Sequence, residues 1–136
     1  MSTETATIHS DADHTVTADV GYNEGALGMI ARGYDNGTRC LNFRVRFARG
    51  EGAGAACRLI RDYNAFNGEA VAERLEGLLA TIPPAQIGHI YVGRENSVVV
   101  YVQVGEQHST EVMLAMREVE AAEVDFTNDE VRAWWD

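Results

Sequence analysis

The chain has no lysine: all 11 of its basic residues are arginine, set against 21 acids for a net charge of −10. Such a balance repels a phosphate backbone unless the arginines stand clear of the acids, so direct nucleic-acid binding is the least favoured function. Cysteine is scarce as well. Cys40 and Cys57 form neither a disulfide framework nor a closely spaced ligand pair, and both read as free thiols. No apolar run reaches the roughly 18 to 20 residues a membrane helix needs. The N-terminal stretch is polar and acidic, not basic and then apolar as in a secretory signal. A soluble, cytoplasmic protein without membrane contact is expected.

What is present suffices for one core. With 136 residues, 46% of them hydrophobic, the chain is expected to form an acidic, disordered tail over 1–13 and a single α+β domain over 14–136. His9, Asp11, Asp13 and His14 crowd together in that tail, but a flexible segment would have to be ordered to hold an ion, so no metal is expected. Charge is segregated along the chain. Residues 1–31 hold five acids and no arginine, 32–61 hold seven arginines against two acids, and 106–136 hold nine acids against two arginines. A basic middle with acidic ends can pair its own segments, pair with a second copy, or face a partner. An acidic excess also serves solubility in high salt.

The spacing predicts a mostly antiparallel sheet of two hairpins or a meander, with one main helix on one face and a short helix at the C-terminus. Leu41, Phe43, Val45 and Phe47 alternate with Asn42, Arg44 and Arg46, the period of a strand. Asn36-Gly37 suits a type I′ turn, so 27–47 reads as a hairpin that sets Ile30 opposite Phe43. A short strand is expected within 15–20. The main helix spans about 67–82, capped by Asn67, carrying Val71, Leu75, Leu78, Leu79 and Ile82 on one stripe, and stopped by Pro83-Pro84. Residues 87–92 and 97–104 read as a second hairpin whose valine run belongs to a central strand. Residues 110–122 fit a strand slightly better than a helix. Thr127 and Glu130 read as a capping box opening a helix over 128–135.

Candidate partner-binding residues follow from that layout. In the expected hairpin the outer face carries Arg44 and Arg46 beside Leu27 and Met29, a surface neither cleanly polar nor apolar. Trp134 and Trp135 cannot both point inward on a helix, so at least one is expected to be partly exposed and able to anchor an interface, although packing of the C-terminus on its own sheet is the favoured use. These residues point to a non-catalytic interaction protein of inhibitor, immunity or antidefence type, or to a viral or other assembly subunit. Its partner is then another protein or a second copy, with no cofactor and no catalytic residue.

The alternative lies in the loop 49–54. Glycines at 50, 52 and 54 follow a strand and precede helix-forming residues, the layout in which backbone N–H groups can cradle a phosphate. Gly50, Gly52 and Ala55 also match a dinucleotide fingerprint, but the chain is too short around them for a doubly wound sheet. Arg49, Gly52 and Gly54 match the Arg/Gln-x-x-Gly-x-Gly/Ala loop, and over residues 41–65 the chain resembles the GNAT-type N-acetyltransferases. That resemblance implies acetyl-CoA held at the loop, with Tyr91 or Tyr101 as the acid. Cys57 and His89 are conceivable as a dyad, but a lone histidine in a strand is more often packed than catalytic.

Overall fold

The computed structural model describes residues 7–10, 16–19, 24–34, 42–50 and 52–136. Two short strands, β1 (Thr7–Ser10) and β2 (Val16–Asp19), pair antiparallel. β2 falls within the strand expected over 15–20, and β1 lies inside the stretch expected as a tail. Next come α1 (Glu24–Gly33), β3 (Phe43–Phe47), a 3-10 turn at Ala48–Gly50, and α2 (Ala53–Ile60). A two-residue ribbon, β4 (Asp62–Tyr63) and β5 (Phe66–Asn67), leads into α3 (Gly68–Thr81). The chain ends with β6 (Ile87–Glu95), β7 (Ser97–Val104), α4 (Glu106–Glu118), β8 (Glu123–Thr127) and β9 (Glu130–Trp134).

The main sheet runs β1-β2-β3-β6-β7-β9-β8. Strands β3, β6, β7, β9 and β8 form an antiparallel unit of five, and β2 joins its β3 edge in parallel. Alternation sorts the side chains. Val45, Val92, Val100 and Ala133 stand in one cross-strand row, and Phe47, Ile90, Val102 and Val131 in another. All eight are at most 1% exposed. Ile30 of α1, Cys57 of α2, Leu75 of α3 and Met116 of α4 belong to the same cluster, so all four helices cover this one face. Each large aliphatic side chain removed from water there contributes about 1.5 to 3 kcal/mol. The result is a two-layer α+β domain. No helix among the described residues is long and apolar enough to cross a membrane.

Three expected elements differ. Residues 24–33 are helical, so the hairpin over 27–47 does not form; its turn at 35–37 lies outside the described residues. Leu27, Ile30 and Tyr34 recur at helical spacing, and Ile30 is fully buried against the sheet. β3 itself stands where the alternation put it, but its antiparallel partner is β6. Residues 106–118 form α4, not a strand: Val112 and Met116, four apart, are buried while Leu114 between them is 57% exposed. The C-terminal helix is instead the β8–β9 hairpin. Asn128 (φ 55°) and Asp129 (φ 59°) both take the left-handed conformation of a type I′ turn. Asparagine and aspartate tolerate that conformation better than most residues. The main helix is as expected, with the Asn67 side chain accepting the Ala70 N–H at 3.0 Å, but it is one of four α-helices among the described residues.

Candidate functional site

The opposite face of the five antiparallel strands carries no helix among the described residues. Because side chains alternate, it displays the residues between the core rows. One row runs Arg44, Gly93, Val99, Trp134, Glu123 across β3, β6, β7, β9 and β8. The next runs Arg46, Tyr91, Tyr101, Arg132, Asp125. Gly93 sits where β3 comes closest, since a Cβ there would lie 2.0 Å from the Phe43 carbonyl oxygen.

Side chains lie flat on this surface. The Arg44 guanidinium rests 4.8 Å from the Tyr91 ring centroid and 4.9 Å from that of Tyr101. These are cation–π distances, and Glu130 lies 3.9 Å from the same guanidinium. Trp134 on β9 donates its indole N–H to the Glu95 carbonyl on β6 at 2.7 Å. To reach it the indole must span β7, where Val99, between Gly93 and Trp134 in register, is fully buried. Val99 is therefore buried outside the main core, and Trp134 is the side chain placed to cover it.

A polar chain fixes the centre. Tyr101 donates to Glu95, and Arg132 binds Glu95 at 2.7 Å and Glu123 at 3.0 Å, with Asp125 at 3.9 Å. Burial, then the hydrogen bond to Glu95, pushes the Tyr101 phenol up to about 12, so it keeps its proton at neutral pH. Burial alone would lower the Arg132 guanidinium, but its bonds to Glu95 and Glu123 outweigh this and raise it. Glu130 is raised by burial, with Arg44 opposing. The surface is thus held in one arrangement, with aromatic faces and charged groups presented outward.

Of the residues nominated from sequence, Arg44, Arg46 and Trp134 come together here. Leu27 and Met29 do not: they sit on α1, half-buried against the core. Trp135 is fully buried, edge-on to Phe66 at 5.0 Å, and donates to the Val119 carbonyl at 2.9 Å. Tyr91, Tyr101, Glu95 and Arg132 were not singled out for this surface. The period-2 pattern of 123–134 is a signal for Arg132 alone, and the other three join it through cross-strand register.

The glycine loop lies on the helical side. Arg49 (φ 57°), Gly50 (φ 75°) and Gly52 (φ 88°) take left-handed conformations as the chain turns from β3 into α2, with Gly52 as its N-cap. Arg58 binds Glu69 at 3.0 Å and Glu76 at 2.6 Å. A Cβ on Gly54 would lie 2.5 Å from Glu76 Oε2, so the first turn of α2 already faces a carboxylate. A cleft of 330 Å³ runs past Gly52, Gly54, Arg58 and Glu76, and a second of 590 Å³ lies between Arg49, Leu79 and Ile87. Cys57 is fully buried on α2, and His89 lies on β6 where the strand register shifts between Ile87 and Ile90. Burial pushes the Cys57 thiol up to about 12, which leaves it inert as a nucleophile at neutral pH. Among the described residues no three His, Cys, Asp or Glu side chains are grouped to hold a metal ion. Comparison with models of protein families, with curated proteins and with solved structures finds no match for this chain.

Proposed function

We propose that this chain is a small, acidic, non-catalytic interaction protein whose contact surface is the helix-free face of the sheet. One observation carries the reading: Arg44, Tyr91, Tyr101 and Trp134 form a flat aromatic and cationic platform with no covering element among the described residues. Aromatic residues and arginine are the types that dominate binding energy at protein interfaces, because they bury much area at little entropic cost. Both tryptophan faces and guanidinium planes gain most when water is excluded from them. The acidic remainder of the molecule favours a partner with basic character around the contact and speeds its approach.

The test compares variants of the full chain as bait in extracts of the cells that produce it. A discrete protein, a second copy included, is expected to be retained by the native chain and by Leu114→Arg on the helical side. Arg44→Glu and Trp134→Arg should each lower that retention at least tenfold. Equal retention by all four baits would overturn the proposal. Saturable thermal stabilisation by acetyl-CoA would instead assign Arg49, Gly52 and Gly54 to an acyl carrier.

A further inference from the structure

We infer that the occupant of this face is a second copy of the same chain, related to the first by a two-fold axis lying along β7; this rests on the interaction reading above. The argument is the order of charge across the strands. β7 is the middle strand of the antiparallel five, with β3 two strands to one side and β8 two strands to the other. A two-fold axis along β7 lays β3 of one copy over β8 of the other and β6 over β9, and it keeps each cross-strand row facing its own counterpart. Arg44 then faces Glu123 of the second copy, and Arg46 faces Asp125. Both contacts occur twice, by symmetry.

The remaining positions agree. Tyr91 on β6 is brought over Arg132 on β9, a cation–π pairing, while at the axis Tyr101 meets its own counterpart and the two Trp134 indoles approach each other over β7. The perpendicular in-plane axis would set β3 over β3 and β8 over β8, stacking arginine on arginine and acid on acid. Aligned sheets pack about 10 Å apart and about 30° askew, which displaces strands two positions from the axis by about 5 Å, within the span of an arginine side chain. Glu123 and Asp125 are each 58% exposed and Arg44 33%, so all three retain surface to offer.

The charge of this patch is compatible with self-contact. The whole chain carries −10, yet the helix-free face holds Arg44, Arg46 and Arg132 against Glu95, Glu123, Asp125 and Glu130. Copies of this protein repel each other least where the local charge is close to balanced. The platform measures about 24 Å by 16 Å from strand spacing and rise, about 400 Å² in projection. That is below the roughly 800 Å² per partner of a standard interface, so a weak, micromolar dimer is expected.

Sedimentation velocity of the purified full chain, from about 5 to about 500 μM, reads this directly. The native chain should shift from monomer toward dimer with concentration, and less so at high salt. Arg44→Glu with Arg46→Glu should be monomeric alone, as should Glu123→Arg with Asp125→Arg. An equimolar mixture of the two double variants should dimerise again. Melting curves confirm that each variant is folded, and the single changes Arg46→Glu and Asp125→Arg carry the same test if a double variant is not. A native chain that stays monomeric throughout, a dimer indifferent to both double variants, or a mixture that stays monomeric would overturn the inference. In the first case the interaction reading still stands if Arg44→Glu releases a different protein from the bait. A dimer broken by Leu114→Arg and not by the β3 changes would overturn both.

Discussion

Trp134 and Trp135 are adjacent in sequence and opposite in environment. At the end of β9, alternation sends one indole to the helix-free face and the other into the core, so the same side chain serves two purposes. Trp135 fills the space beside Phe66 and satisfies its N–H with the Val119 carbonyl. Trp134 spends its N–H on the Glu95 carbonyl and keeps one face of the ring outward. Truncation should separate them. Trp135→Ala leaves a large cavity and is expected to cost about 3 to 5 kcal/mol in urea unfolding, whereas Trp134→Ala should cost about 1 to 2 kcal/mol. Partner binding should respond in the reverse order, with Trp134→Ala the more damaging. Equal destabilisation by the two changes would mean that Trp134 is a core residue after all.

Helices α2 and α3 are joined at their outer surfaces by Arg58, which binds Glu69 near the start of α3 and Glu76 on the same face about two turns further on. The hydrogen bonds from Arg58 hold the Glu76 carboxyl below the ordinary glutamate range. A carboxyl depressed in the folded state contributes stability above its unfolded pKa, and that contribution is lost as pH falls through the folded value. Glu76→Gln should therefore lower the melting temperature at pH 7, by a few degrees at most because both partners are well exposed. The difference from the native chain should shrink as pH falls below the ordinary glutamate range. Glu130, raised by burial, acts in the opposite sense: it favours the fold at low pH and opposes it as pH rises through its raised value. A gap between Glu76→Gln and native melting temperatures that persists unchanged as pH falls below that range would contradict the assignment.

Elements with self-contained signals were legible in the sequence. α3 has its cap at Asn67, its apolar stripe and its proline stop within one segment, and the valine run of β7 marks a central strand. Elsewhere the local pattern fits two structures. Thr127-Asn128-Asp129-Glu130 satisfies both a capping box and a type I′ turn; Val124, Phe126, Val131 and Ala133, spaced by two, decide for the hairpin because both strands must bury one side. In α4, Val112, Leu114 and Met116 alternate as in a strand, yet Leu114 is left in water. The candidate surface was half legible for the same reason. Arg44, Arg46 and Trp134 follow from alternation and from the tryptophan doublet, while Tyr91, Tyr101, Glu95 and Arg132 are joined only through cross-strand register between distant segments.

Across the whole molecule, the segregated charge is partly consumed within the chain. Arg44 of the basic middle reaches Glu130 of the acidic C-terminal segment, and Arg74 binds Glu118 at 2.6 Å. Arg132 is enclosed by Glu95, Glu123 and Asp125. One face of the sheet is packed under helices, and the other carries no helix among the described residues. The asymmetry of the layers is the central physical claim: the domain buries one side of its sheet completely and presents arginine and aromatic rings on the other. Photo-cross-linking in the producing cells tests that claim most directly, with Tyr91→benzoylphenylalanine on the open face and Leu114→benzoylphenylalanine on the helical one. The account predicts a discrete protein adduct, homodimeric or heterologous, from position 91 and none from position 114; adducts from 114 alone, or from neither, would contradict it.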